Sequence, residues 1–161
     1  MCIRDRAPSV GELRIRKIRN GTVIDHLPQH SSLIVLKILG ITGKEGNIVS
    51  IAMNVPSQRL GKKDIVKVED RELSAQEADK IALIAPRATI NIIRNYEVVE
   101  KRKAKLPNLI RGFPRCANPA CISNSSEPVQ STFHVEREEP LRLRCHYCNY
   151  IMEKEDILQQ F

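Results

Sequence analysis

Residues 21–40 read GTVIDHLPQHSSLIVLKILG, and the change of period inside them decides the fold. Thr22, Val23 and Ile24 follow Asn20-Gly21, a hairpin or tight-turn signal, and as β-branched residues they predict a strand. Ser31 and Ser32 then precede Leu33, Ile34, Leu36, Ile38 and Leu39, with Gly40 behind them. That is the pattern of an N-cap, an apolar-faced helix and a C′ glycine. Upstream, Leu13 and Ile15 alternate with Arg14 and Arg16, a strand-like period. Downstream, Ile48, Val49, Ile51, Met53 and Val55 predict a strand ending in a Pro56-Ser57 turn. Ile65, Val66 and Val68 predict another after Gly61-Lys62-Lys63-Asp64. Ser74 and Glu77 form a capping box for a helix carried by Ala78, Ile81, Ala82 and Ile84, which Pro86 stops. Residues 88–99 are again β-rich. Strand, helix, strand, strand, helix, strand, with one or two extras, is the order of a ferredoxin-like α+β sandwich.

Beyond it, residues 101–105 are charged and poorly patterned, and Pro107 follows, the look of a linker. The reading is therefore a first domain over 13–103 and a second over 104–161. Residues 1–12 carry no convincing periodicity and are read as a disordered leader or a sequence-assembly artefact, with no function assigned to them.

The second domain holds four of the five cysteines. Four residues separate Cys116 from Cys121, two separate Cys145 from Cys148, and 23 lie between the pairs. Short loops of this kind aim two thiolates each at one tetrahedral ion, so a structural Zn²⁺, one per chain, is expected in a small β-rich zinc ribbon of the rubredoxin-like kind. The segment reads as poor in core formers, and its folding is expected to lean on a metal that supplies about 10 kcal/mol or more. His146 lies inside the second knuckle but four cysteines already close the set, which makes the site structural. His134 reads as a surface or strand residue. A zinc ribbon alone does not say what the protein does.

The 161 residues, 42% hydrophobic, suffice for one ordinary core plus such a module. The longest apolar run, residues 33–41, is broken by Lys37 and falls far short of the roughly 20 residues that span a bilayer. The start carries no apolar signal-peptide core, and the expectation is a cytoplasmic protein whose paired cysteines hold metal and form no disulfides. The net charge of +7 favours anionic partners, while 4% aromatic content and no Trp disfavour single-stranded nucleic-acid binding by stacking. No nucleophile stands beside a base, and Gly40-x-x-Gly43-x-x-Gly46 lacks the Lys-Ser/Thr of a phosphate loop, so catalysis is not supported. What remains in the first domain is a scatter of cations: Lys17, Lys62, Lys63, Lys67, Arg94 and Lys101.

The segments Gly21-Thr-Val-Ile-Asp-His26, Asn54-Val-Pro-Ser57, Gly61-Lys-Lys-Asp64, Ala85-Pro86, Ala88-Thr89, Asn95-Tyr-Glu-Val-Val99 and Cys121-Ile-Ser, in this order, resemble the aspartate carbamoyltransferase regulatory chain family. The similarity runs from about Leu13 to the end. It implies an allosteric domain that binds the nucleotide effectors CTP, UTP and ATP, and a zinc domain that docks on a separate catalytic chain. It also implies regulatory-chain homodimers bridging catalytic trimers in pyrimidine biosynthesis. Carried over by position, the nucleotide pocket would use Asp25 and His26 after the first strand, Lys67, and Asn91, Tyr96, Val98 and Lys101. In physical terms His26 and Lys101 can meet phosphates and Lys67 can reach ribose or base oxygens. Ile18, Ile93, Tyr96 and Val98 can hold a flat base, and Lys63 can assist near the ribose or phosphates. Arg16 and Lys17 depart from the family by adding positive charge on the strand expected to border the base.

Two other readings compete. A nucleic-acid-binding zinc-ribbon protein would use residues 101–105 to track phosphates; it accounts for the charge and the metal but not for Asp25-His26. A metal-dependent hydrolase would need an open metal position and a general base, against which the four-cysteine set argues.

Overall fold

The computed structural model describes residues 17–161. The leader over 1–12 and the expected strand at Leu13 and Ile15 lie outside the described residues. The chain runs β1 (Gly21–Pro28), α1 (Ser32–Ile38), β2 (Val49–Ser57), β3 (Gly61–Glu69), α2 (Ala75–Ala82), β4 (Thr89–Arg94) and β5 (Glu97–Lys103). It continues with β6 (Leu109–Arg111), a 3₁₀ turn (Ile122–Asn124), β7 (Thr132–Arg137), β8 (Arg142–Cys145), β9 (Ile151–Glu153) and α3 (Lys154–Leu158). The first five strands form an antiparallel sheet in the order β2-β3-β1-β4-β5. This is the expected ferredoxin-like α+β arrangement with one added edge strand. The last four strands form a second antiparallel sheet in chain order, fitting a metal-holding ribbon.

Strand alternation gives the first sheet two distinct faces. Ile24 sits opposite Val66 on β3 and Ile90 on β4, and all three are buried with Val35 of α1 and Ile81 of α2. One residue along, Val23 sits opposite Lys67 and Asn91, and Asn91 opposite Lys101, so the other face carries the polar row. Gly21 begins β1 at φ +139°, where a Cβ would come 2.1 Å from the Val68 carbonyl oxygen; only glycine fits this close crossing. Asn20-Gly21 is a bend that delivers the chain into β1, and residues 17–20 form no strand.

Several local expectations need correction. Ser31 does not cap α1 with its side chain: its hydroxyl donates to the Pro28 carbonyl, and the buried Asp64 carboxylate accepts the Ser32 N–H instead. The helix does end as expected, with Gly40 at φ +67° and the Gly40 and Ile41 N–H groups donating to Lys37 and Leu36. Pro56 and Ser57 belong to β2, and the turn is residues 58–60. Ser74 caps α2 by accepting from the Glu77 N–H, but the Glu77 carboxylate pairs with Arg71 and does not complete the box. That helix ends at Ala82, four residues before Pro86, and closes with tighter turns back to Lys80 and Ile81.

The largest correction concerns residues 101–103. They are no linker but the end of β5, paired with Asn91, Ile90 and Thr89. An edge strand wet on both sides gains little from apolar residues, so its charges mimic a linker. The chain after it is not free either. Ala104, Leu106 and Ile110 are buried and carry one continuous apolar core from the first sheet into the second. The second sheet is also better furnished than its composition implies, with Phe133, Leu143, Met152 and Ile157 fully buried. Among the described residues no helix is long and apolar enough to cross a membrane.

Candidate functional site

The polar face of the first sheet, with the bend before β1 and the β4–β5 turn at its border, gathers the residues expected to bind a ligand. Cross-strand register sets three successive rows there: Ile93 opposite Val98, then Lys67–Val23–Asn91–Lys101, then Asp25–Thr89–Lys103. At about 3.4 Å per residue, the first and last rows on β4 lie about 14 Å apart. Ile18, Val23, Ile93, Tyr96, Val98 and Lys67 line a cavity of about 220 Å³ at one end. Ile18, Val23 and Ile93 are buried against one another, while Tyr96 and Val98 are open to solvent.

Irregular backbone builds both ends. Asn95 and Tyr96, at φ +50° and +65°, form the two-residue turn between β4 and β5. The pair of positive φ values matches the twist that such a hairpin needs. The Tyr96 N–H donates to the Arg19 carbonyl and the Asn95 N–H to the Asn20 side chain, which binds residues 17–20 to the turn. At the other end, β1 carries a bulge between Ile24 and Leu27 in its pairing with β3, and His26 sits in it at φ +57°. A bulge re-aims the side chains that follow it. The His26 ring here reaches the Thr89 hydroxyl, Nδ1 to Oγ1 3.2 Å.

Between them lies a buried ion pair. Lys63 Nζ is 2.9 Å from Asp25 Oδ1, and the His26 N–H donates to the same oxygen at 2.6 Å. The second carboxylate oxygen, Asp25 Oδ2, has no hydrogen-bond donor among the described residues, nor does the Asn91 amide nitrogen find an acceptor. Two unsatisfied polar atoms on one buried face are polar capacity left for a ligand. Burial pushes the His26 pKa below its ordinary value; the Asp25 carboxylate opposes this, and the Lys63 and Arg59 charges add to it. The His26 ring is therefore held toward its neutral form near pH 7.

A wider cavity of about 440 Å³ continues past the third row, with His26, Thr89 and Lys103 on its near side and Arg59 and Arg87 beyond. Arg59, Arg87 and Lys103 were not singled out from the sequence. Arg59 sits in the β2–β3 turn, Arg87 in the loop after α2, and Lys103 was hidden in the supposed linker.

The second site is the cysteine cluster. Sγ atoms of Cys116, Cys121, Cys145 and Cys148 all lie within 4.8 Å of one another, with Cys116–Cys148 and Cys121–Cys145 at 3.6 Å. Metal–sulfur bonds of about 2.3 Å in a tetrahedron require sulfurs about 3.8 Å apart, so the four thiols fit one ion. Burial pushes the Cys116 and Cys145 thiols up. At Cys148 burial acts the same way, but hydrogen bonds from the Tyr150 backbone, Asn118 and the neighbouring thiols bring the pKa down to about 7. Four thiolates in this space need a cation to hold them. Asn124 stiffens the first knuckle by donating to the Cys116 and Asn118 carbonyls. His146 stays outside the set: its Nδ1 lies 2.9 Å from Nε2 of His134 on β7.

Two family models match the chain. Residues 13–105 match the family model described as aspartate carbamoyltransferase regulatory chain, allosteric domain. Residues 108–158 match the one described as aspartate carbamoyltransferase regulatory chain, metal binding domain. Curated relatives bearing the name aspartate carbamoyltransferase regulatory chain include that of Korarchaeum cryptofilum, 55% identical over 150 residues that cover 92% of this chain and 96% of the relative. The Methanothermobacter thermautotrophicus protein is 54% identical over 150 residues, 93% of this chain and 96% of the relative. The Pyrococcus abyssi protein is 54% identical over 151 residues, 92% and 98%.

Proposed function

This chain belongs to the family of aspartate carbamoyltransferase regulatory chains, and from that premise we propose that the polar face of its first sheet binds nucleoside triphosphates. The chain is the non-catalytic, allosteric partner of a catalytic chain. The observation that carries the nucleotide reading is the polarity of the groove: apolar at Ile18, Ile93 and Val98, with Lys67, Asn91 and the cation Lys101 in the next row and the imidazole of His26 beyond it. A nucleotide has the same polarity, a flat weakly polar base at one end and phosphates at the other. CTP, UTP and ATP are the proposed effectors.

The proposed ion in the cysteine cluster is Zn²⁺, one per chain. Bound there, it serves as a cross-link between the two knuckles. We assign nucleotide binding to 13–103 and contact with the catalytic chain to 104–161, where Ile122, Tyr147 and Tyr150 are exposed around the metal knuckles. A homodimer would use β2, an edge strand whose Ile48, Ile51 and Met53 neighbourhood exposes apolar area. The protein works in the cytoplasm. Regulation follows from linkage: an effector that binds one quaternary state more tightly shifts the assembly toward it, by no more than that difference, typically about 1 to 3 kcal/mol.

The test is a calorimetric titration of the metal-loaded chain with CTP, UTP, ATP and a short RNA at two salt concentrations. Saturable nucleotide binding near one site per chain, weakened in Lys101→Ala, supports the reading. Steeply salt-dependent RNA binding without a nucleotide signal refutes it in favour of a nucleic-acid-binding ribbon.

A further inference from the structure

The cavity beyond the groove is lined by three cationic side chains. Arg59, Arg87 and Lys103 come to it from three separate elements, and His26 and Thr89 close its near side. None of its lining residues is a carboxylate. Lys103 pairs with Thr89, one row past Lys101 and Asn91, so the cavity continues the groove at its cationic end. Guanidinium forks match phosphate oxygens two at a time, and a cavity with two of them, an ammonium and a hydroxyl suits a chain of phosphates better than a single carboxylate.

Arg87 also reaches the other half of the molecule. Its guanidinium lies 3.1 Å from Glu139, which sits in the turn between β7 and β8 of the metal-holding sheet. Both side chains are more than half exposed, at 67% and 55%, and exposed pairs of this kind are weak. An anion carrying several charges inside the cavity outcompetes one solvated carboxylate for the same guanidinium.

We propose that the Arg59–Arg87–Lys103 cavity is a polyphosphate subsite whose occupant draws Arg87 away from Glu139. Occupancy thereby loosens a link between the effector-binding sheet and the metal-holding sheet. The proposal rests on the nucleotide reading for its natural ligand, the terminal phosphates of a bound triphosphate, but inorganic triphosphate alone tests the cavity.

The experiment titrates the full, metal-loaded chain with inorganic triphosphate, with cytidine and with CTP. Wild-type protein binds inorganic triphosphate at one site per chain, and Arg59→Gln and Lys103→Gln each weaken it by about tenfold, the loss expected for one charge-assisted contact. Glu139→Gln strengthens it by about threefold because Arg87 loses its competing partner. Cytidine, which has no phosphate, binds all variants alike. Unchanged triphosphate affinity in Arg59→Gln and Lys103→Gln overturns the subsite, and wild-type affinity in Glu139→Gln overturns the competition. CTP binding that ignores Arg59 and Lys103 sinks the subsite and leaves the nucleotide reading standing. Triphosphate binding as described, with no binding of cytidine or CTP, does the reverse.

Discussion

Among the described residues the cysteine cluster and the polar groove of the first sheet are two chemically organised regions, and they are organised in opposite ways. The cluster is made by two short loops, each contributing two ligands a few residues apart, so its chemistry is local. The groove is made by single residues from β1, β3, β4 and β5 that meet only because the strands pair in one register. A local site depends on its ion for its shape, whereas a register-built site depends on the sheet beneath it. The two regions should therefore fail under different insults.

Metal removal separates them most sharply. Stripping the ion with a chelator, or Cys145→Ala, forfeits a metal contribution of about 10 kcal/mol or more and should unfold the sheet from β6 to β9. Hydrogen exchange of Phe133, Leu143 and Met152 amides would become fast, while nucleotide affinity in the first sheet would stay within about threefold, a small change on the affinity scale. Joint loss of both would break the comparison, and the continuous core through Ala104, Leu106 and Ile110 marks where such coupling would run.

The next effect belongs to the groove. Lys63→Met leaves Asp25 buried without its cation and should cost about 3 to 5 kcal/mol in urea unfolding, with no change in metal content. Adding Asp25→Asn should recover most of that loss, because it removes the stranded charge. A Lys63→Met protein as stable as wild type would mean that the pair is no structural part of the groove.

A pH series then tests the cationic end. His26 has a folded pKa below its unfolded value of 6.5, so its contribution to stability is complete above pH 6.5 and is lost as pH falls through the folded pKa. Nucleotide affinity should move the other way. Phosphates raise the pKa of a nearby imidazole, so binding takes up a proton and tightens as pH drops below 7. His26→Gln should flatten both trends, as read by thermal melts and by calorimetry in two buffers of different ionisation heat. The smallest effect is a control outside both sites: Ser74→Ala should cost about 1 kcal/mol through loss of the α2 cap and leave ligand and metal binding alone.

The same contrast explains what could be read from residues alone. Cys116, Cys121, Cys145 and Cys148 announce a metal through spacing, since spacing is all that a loop-built site needs. The alternation and helix signals in residues 21–94 give the α+β order for a similar reason: period is a local property. Register is not. That Lys67, Val23, Asn91 and Lys101 form one row follows from bulges and turns whose geometry is invisible in composition; the resemblance to a family had to supply Lys67, Asn91 and Lys101, and Val23 carried only a strand signal. Lys103 and Arg102 look like linker in sequence because an exposed edge strand and a linker share the same charged, apolar-poor residues. Arg59 and Arg87, from a turn and a loop, carried no periodic signal at all.

In the proposed binding mode the groove has a direction, base at the Ile93–Val98 end and phosphates at the Lys101–His26 end. A crystal structure of the metal-loaded chain with CTP tests it most directly. The cytosine ring is expected against Ile18, Ile93 and Val98, with the phosphates toward Lys101 and His26. A nucleotide bound in the reverse sense, or on the helical face of the sheet, would contradict it.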